Sequence, residues 1–430
     1  MSYQDECQEV LQRIATENPG VRGLTYFLST VDRWHAGYSH ETPGEALQSG
    51  LNKRGTTPQV VVLGNGIPEQ LIYACGVVPY HVQGGSHTSC RWSDEVMPRY
   101  ADPVSRSILG YALQIAKRQD TSSLFVVPIA NDNMRKIAYF LKHEGHEVLP
   151  VDVPPVWASV SDQNAWERSM RTLVQGVQRH TGRRATTLRI RKADKLVTTA
   201  KTAMVEFERT YVACDGQLSG EAMLLVLNSY YQTANLSEWT EALKNLTAEI
   251  AGRQQTIPMA VAPAPHVLVI GSPIVFPQYK VPSLIQDAGL RLAAAVDATS
   301  TARYAWLAPE ERRGGVARLT NAIACKHYTL DSSSAHVVNS ALEQYVEYLL
   351  SSRQVDGVVC HILKGQIEYD FELARMESLF ESRDIPVFRL ETDYQYQDVE
   401  QLRIRLEAFS EMLAQRAFVA RQANAAFACA

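Results

Sequence analysis

The sequence predicts an α/β protein of two similar domains with mostly parallel sheets, joined by a helical region. Three observations carry this. Four β-branched runs, each followed by a polar loop, an amphipathic helix, a Gly or Pro and a second strand, occur as two pairs. Between the pairs, residues 157–258 contain few strand-like runs and are rich in Ala, Leu, Glu, Arg and Gln. With 430 residues and 46% hydrophobic content, the chain can fill more than one core.

Residues 1–50 read as a polar helical arm punctuated by NPG at 18–20 and TPG at 42–44. The first α/β domain spans 51–156 and opens with the strand QVVVL at 59–63. In NGIPEQLIYACG, Pro68 and Glu69 suit a first helical turn, and Ile67, Leu71, Ile72 and Cys75 recur on one face before Gly76 and the strand VVPYHV. LFVVP at 124–128 leads through IANDN to the helix MRKIAYFLKHEG and the strand HEVLPVD. The helical region spans 157–258. In the second α/β domain, 259–396, HVLVI at 266–270 leads through GSPIVFPQYK to VPSLIQDAG and LRLAAAVD. There DGVVC at 356–360, which Cys360 closes, leads through HILKGQIEYD to FELARMESLFESRD and IPVFRLETD. Residues 397–430 read as a C-terminal helix with Leu402, Leu406, Phe409, Met412 and Leu413 on one face.

Lys and Arg number 42 against 46 Asp and Glu, a formal charge of −4 with no basic block, which argues against a nucleic-acid surface. No apolar run approaches the ~20 residues of a membrane span, and the first residues are acidic and polar. The expectation is a soluble, cytoplasmic protein with no nucleic-acid or membrane partner. The seven cysteines are scattered without a CxxC pair, so neither a disulfide framework nor a zinc finger is indicated.

Ligands of open parallel sheets bind at the carboxyl ends of the strands. The candidate loops are therefore Gly64 to Pro68, Pro128 to Asn133, Gly271 to Lys280 and His361 to Glu368, expected to face a shared cleft. Nucleotide and hydrolase templates fail. GNGIPE at 64–69 has Glu69 where a dinucleotide fingerprint needs its third glycine, and GxxxxGK[ST], GxSxG and HExxH are absent. Gly64 and Gly271 then serve as tight turns beside Asn65 and Ser272. His35 and His40, and His81 and His87, read as solvated or capping histidines. Glu391 or Asp393 is expected to pair with Arg403 or Arg405.

The run VDGVVCHILKGQIEYDFELARMESLFESRDIPVFRLETDYQ, followed by EQLRIRLEAFSEML, resembles the 2-hydroxyacyl-CoA dehydratase and benzoyl-CoA reductase family. GNGIPEQLIYACGVVPYHVQGG, MPRYADPVSRSILG, LFVVPIANDNMRKIAYFL and VLVIGSPIVFPQYKVPSLIQDAG agree with it in order, from about residue 55 to about 415. Within that family the likeness is to the D-component of 2-hydroxyglutaryl-CoA dehydratase. The resemblance implies two α/β domains, a homologous subunit as homodimer or heterodimer, and an acyl-CoA substrate. It also implies a 4Fe–4S cluster on three separated cysteines, fed by an ATP-dependent activator. This chain departs from that pattern at all three positions. Asp102-Pro103 stands for the family's Cys-Pro, Asn131-Asp132 for its Cys-Asp, and Gln366 for the third cysteine. Oxygen and amide donors hold iron–sulfur clusters poorly, so no cofactor is expected.

The first reading is a family member without its customary cluster that binds an acyl-CoA-like or other small molecule in the cleft. His361, Lys364, Ser272 and Lys280 are candidates for ligand contacts. The alternatives are an active dehydratase or aryl-CoA reductase subunit with a cluster rebuilt on Cys90, Cys325 and Cys360, and a structural partner of a cluster-bearing subunit.

Overall fold

A computed structural model of the chain describes residues 2–36, 57–118, 121–156, 159–254, 264–297, 300, 314–330, 336–337 and 339–428. Two four-stranded parallel sheets form its frame. The first contains β1 (Thr57–Leu63), β2 (Pro79–Val82), β3 (Thr121–Ile129) and β4 (Glu147–Asp152) in the order β2-β1-β3-β4. The second contains β5 (His266–Gly271), β6 (Arg291–Val296), β7 (Gly357–Leu363) and β8 (Val387–Thr392) in the order β6-β5-β7-β8. The two halves thus share one topology. Val61 lies opposite Phe125 in one sheet as Val269 lies opposite Val359 in the other.

The continuous β-branched runs are buried on both faces, as parallel strands require. In β1, Val61 and Leu63 enter the main core while Val60 and Val62 face a second cluster with Trp166 and Met170. In β5, Val267 and Val269 enter the main core while Leu268 and Ile270 face a third cluster with Met376 and Phe380.

The helices, in chain order, are α1 (Tyr3–Glu17), α2 (Leu24–Ala36), α3 (Gln70–Tyr73), α4 (His87–Trp92) and α5 (Pro103–Ala116). Next come α6 (Asp132–His143), α7 (Val160–Thr181), α8 (Thr187–Ala213), α9 (Gly220–Asn228) and α10 (Leu236–Gln254). The second half adds α11 (Lys280–Asp287), α12 (Val316–Leu330), α13 (Ser340–Ser352), α14 (Glu368–Ser382) and α15 (Val399–Ala428). Among the described residues no helix is long and apolar enough to cross a membrane.

Several expectations change. The first two helices are core rather than an arm, because Ile14, Phe27 and Val31 are fully buried in the main cluster. The buried Glu6 carboxylate anchors α1 at the start of α4, accepting from Ser86 Oγ at 2.7 Å and from the His87 N–H at 3.0 Å. Strand β7 does not end at Cys360 but runs on through Leu363, so His361 belongs to the sheet and not to a loop. Helix α12 crosses to the first half, where Leu319, Ile323 and Tyr328 pack on α7 and Trp166 Nε1 donates to the Ala324 carbonyl at 2.7 Å. The C-terminal helix docks on the second sheet through Leu402, Leu406, Phe409 and Leu413, all buried.

Candidate functional site

In both sheets the first strand lies between the second and the third, so the chain reverses direction between β1 and β3 and between β5 and β7. Such switch points open at the strands' carboxyl ends. The two halves meet there through backbone. Gly85, just after β2, has φ +98°, and a Cβ on it would lie 2.6 Å from the Phe276 carbonyl and 2.7 Å from that of Val275. Gly365, after β7, has φ +87°, and its Cβ would meet the Asp102 backbone at 3.2 Å. Only glycine allows this approach and these dihedrals together. The expected cleft is therefore a seam closed at these two points.

At that seam a polar knot joins the halves. Asp102 caps α5, its Oδ1 accepting from the Ser105 N–H at 2.9 Å. The same oxygen accepts from Gln366 Nε2 at 3.3 Å, and Oδ2 accepts from Asn133 Nδ2 at 2.6 Å. Asp102 and Gln366 are both buried. Asn131 caps α6, its Oδ1 accepting from the Met134 N–H at 2.9 Å, two residues before the Asn133 that reaches Asp102. The positions singled out by the resemblance thus converge, and their polar atoms are spent on helix caps and on one another. One atom is left over: the buried Gln366 Oε1 has no hydrogen-bond partner among the described residues.

The other candidates are placed less centrally. Gly64 turns the chain after β1 and donates its N–H to the Val82 carbonyl at 2.7 Å. Asn65 Oδ1 accepts from Gln83 Nε2 at 3.0 Å, tying the loop after β1 to the end of β2. Gly271 packs against the His361 carbonyl, too close for any Cβ. Ser272 is a sheet fastener rather than a ligand contact: its N–H donates to the His361 carbonyl and its Oγ accepts from the Leu363 N–H, both at 2.8 Å. His361 Nδ1 lies 3.1 Å from the Ser272 carbonyl, and burial pulls its pKa down to about 4. Lys364 is exposed and pairs with Asp393 at 3.3 Å.

Lys280 is not a free cation. Its buried Nζ donates to the carbonyls of Asp393 and Gln395 and to Asp398, at 2.8, 2.5 and 2.8 Å. The expected ion pair between β8 and the tail does not form: Arg403 pairs within its helix with Glu400 and Glu407, while Arg405 donates to the Arg389 carbonyl. His35 and His81 are buried rather than solvated, with pKa values pulled down by burial to about 3 and about 4. His40 lies outside the described residues.

The three cysteines of the rebuilt-cluster alternative occupy separate environments. Cys90 Sγ lies 3.3 Å from the Pro103 carbonyl, Cys325 sits on α12 against Glu167, and Cys360 faces α14 from β7. Burial raises all three thiols, Cys90 and Cys360 to about 12. Among the described residues no group of three or more His, Cys, Asp or Glu side chains could hold a metal ion. The side chains that converge at the seam, Asp102, Asn133 and Gln366, are oxygen and amide donors rather than thiolates.

Two groups escaped the sequence. Glu368, at the start of α14, has its pKa raised chiefly by burial, with a smaller push from the charge of Asp102, against a hydrogen bond from its own backbone N–H. In the first half Glu69 and Lys201 form a buried ion pair at 2.9 Å, with Tyr230 donating to the same Glu69 oxygen at 2.5 Å. Burial alone would raise the Glu69 carboxyl, but the Lys201 charge and the two hydrogen bonds outweigh it and hold the pKa at about 2.

Comparison with known proteins places this architecture. The family model described as 2-hydroxyglutaryl-CoA dehydratase, D-component, matches residues 65–413. YjiM of Escherichia coli (strain K12), named as a dehydratase subunit, is 25% identical over 385 residues, covering 86% of this chain and 96% of its own. The (R)-phenyllactyl-CoA dehydratase beta subunit of Clostridium sporogenes is 22% identical, covering 80% of this chain and 89% of its own. The beta subunit of (R)-2-hydroxyglutaryl-CoA dehydratase of Acidaminococcus fermentans is 21% identical, with 81% and 90% covered.

Proposed function

Since the chain belongs to the 2-hydroxyglutaryl-CoA dehydratase D-component family, we propose that it is a dehydratase-type subunit working without the iron–sulfur cluster. In this reading the Asp102–Asn133–Gln366 knot fills the cluster position, and the seam binds an acyl-CoA-like small molecule beside a homologous subunit. The observation that carries it is the convergence of Asp102 and Gln366, oxygen and amide groups that already satisfy one another where soft thiolates would be needed. The unpaired Gln366 Oε1 is the acceptor that a ligand N–H or O–H would satisfy. Partner subunits enter by likeness, since two relatives are named as beta subunits.

The test has two parts. Protein purified without oxygen should be colourless and hold far less than one iron per chain. About four irons with absorbance near roughly 400 nm would overturn the reading and favour an active redox subunit. A CoA thioester that binds only the folded chain must raise its melting temperature. No shift at saturating thioester would favour the structural-partner reading, which the close backbone contacts at Gly85 and Gly365 also support.

A further inference from the structure

At the other end of the first sheet the chain carries a groove that the seam does not use. Helix α7 returns to the amino ends of the strands: His180 Nε2 lies 2.9 Å from the carbonyl of Ser122 in β3, and Nδ1 lies 2.6 Å from Glu147 in β4. Beyond it the turn into α8 and the segment after α3 border an open groove of about 360 Å³, within the volume range of small-molecule sites. Arg183, Arg189 and Lys192 line it on one side, and Tyr73, Ala193 and Leu196 supply apolar wall.

The charge there is unbalanced. Residues 183–195 hold six Lys or Arg and one Asp, so the expectation of no basic block fails for this segment although the whole chain carries −4. Arg183 donates to the Gly76 carbonyl, and Arg189 Nη1 donates to the Arg184 carbonyl at 3.0 Å. Both contacts are to neutral oxygens, and no carboxylate pairs with Arg183, Arg189 or Lys192 among the described residues. Cations gathered without a counter-charge repel one another, and a bound anion relieves that cost. Guanidinium forks match the paired oxygens of carboxylates and phosphates alike, and three cations together favour the more highly charged phosphate.

We propose that this groove is a second ligand site, independent of the seam, for a phosphorylated small molecule of the nucleotide class. The cations take the phosphates, and Tyr73 and Leu196 take the apolar part. Titration calorimetry on the full chain, with ADP and pyrophosphate as probes, tests it. Saturable ADP binding, weaker for pyrophosphate and lowered about tenfold or more in Arg189→Glu/Lys192→Glu, is the expected result. Both side chains are exposed, so the variant should melt like the parent. The same calorimetric result is expected whatever the seam binds. Absence of ADP heat at millimolar concentration, or affinity unchanged in the variant, would overturn the site. Pyrophosphate binding as tightly as ADP would overturn the nucleotide class, and so would an oligonucleotide that binds where ADP does not.

Discussion

The two halves share one strand order yet fasten the carboxyl ends of their sheets by different electrostatics. Each buries a lysine there. In the first half Lys201 meets Glu69, with both side chains almost wholly out of solvent, and each charge depends on the other. In the second half Lys280 is held by two backbone carbonyls and by Asp398, whose side chain keeps 23% of its surface exposed. A charge shared among carbonyls and a partly wet carboxylate loses less when one partner goes. The same topology therefore carries a brittle fastening on one side and a tolerant one on the other, and the tolerant one ties the segment before α15 to α11.

That contrast can be broken most directly at its stronger end. Glu69→Ala should cost about 3–5 kcal/mol, because it strands the buried Lys201 ammonium and the Tyr230 hydroxyl. Denaturant unfolding reads this, and a loss below that of Asp398→Asn would reverse the comparison. Next comes Asp102→Ala, which removes the α5 cap and the partners of Asn133 and Gln366 together, for about 2–3 kcal/mol. Asp398→Asn should cost about 1–2 kcal/mol, since both carbonyls still hold Lys280. A loss matching that of Glu69→Ala would show that the carboxylate, not the carbonyls, carries the second fastening.

Acid should act on both halves, since His361 in the second sheet is held as low as His81 in the first. His35 and His81 are buried neutral, with pKa values near 3 and 4, below the ~6.5 of an unfolded histidine. The unfolded chain therefore binds their protons first, so their contribution is intact above pH ~6.5 and falls as pH drops toward 4, by up to ~1.4 kcal/mol per pH unit for each. Glu69 adds a later loss, present above the unfolded carboxylate value and fading as pH falls toward about 2. His81→Gln should flatten the pH 4–6.5 limb of a melting-temperature profile. An unchanged slope would mean that this ring is not what makes the fold acid-sensitive.

The strands were legible because runs such as Val60 to Leu63 and Val267 to Ile270 are buried on both faces and need no alternation. The N-terminal helices read as an arm because a polar residue such as Glu6 looks solvated, whereas its buried partners, the Ser86 hydroxyl and the His87 N–H, lie far along the chain. His361 reads as a loop residue for a related reason: in a buried parallel strand a neutral histidine can replace an aliphatic residue, and nothing local marks it. Lys280 and Lys201 are the hardest cases, since the default for lysine is exposure. The knot was half legible. Asp102 and Gln366 stood out by likeness, while Asn133 would have needed the hint that Asn131-Asp132-Asn133 offers two amides, one for the cap and one to spare.

The smallest expected effect on stability is at Gln366, and it separates ligand binding from mere packing. Leucine at this position loses one long bond to Asp102, at 3.3 Å, worth about 1 kcal/mol or less. It also removes the buried, unpaired Oε1, whose desolvation the fold otherwise bears, so the two changes largely cancel. Gln366→Leu should therefore melt within a few degrees of the parent. If the seam is a ligand site, the melting shift produced by a CoA thioester should disappear in this variant, because the acceptor has gone. If the shift survives undiminished, Gln366 only fills space between the halves, and the ligand contacts must lie elsewhere along the seam.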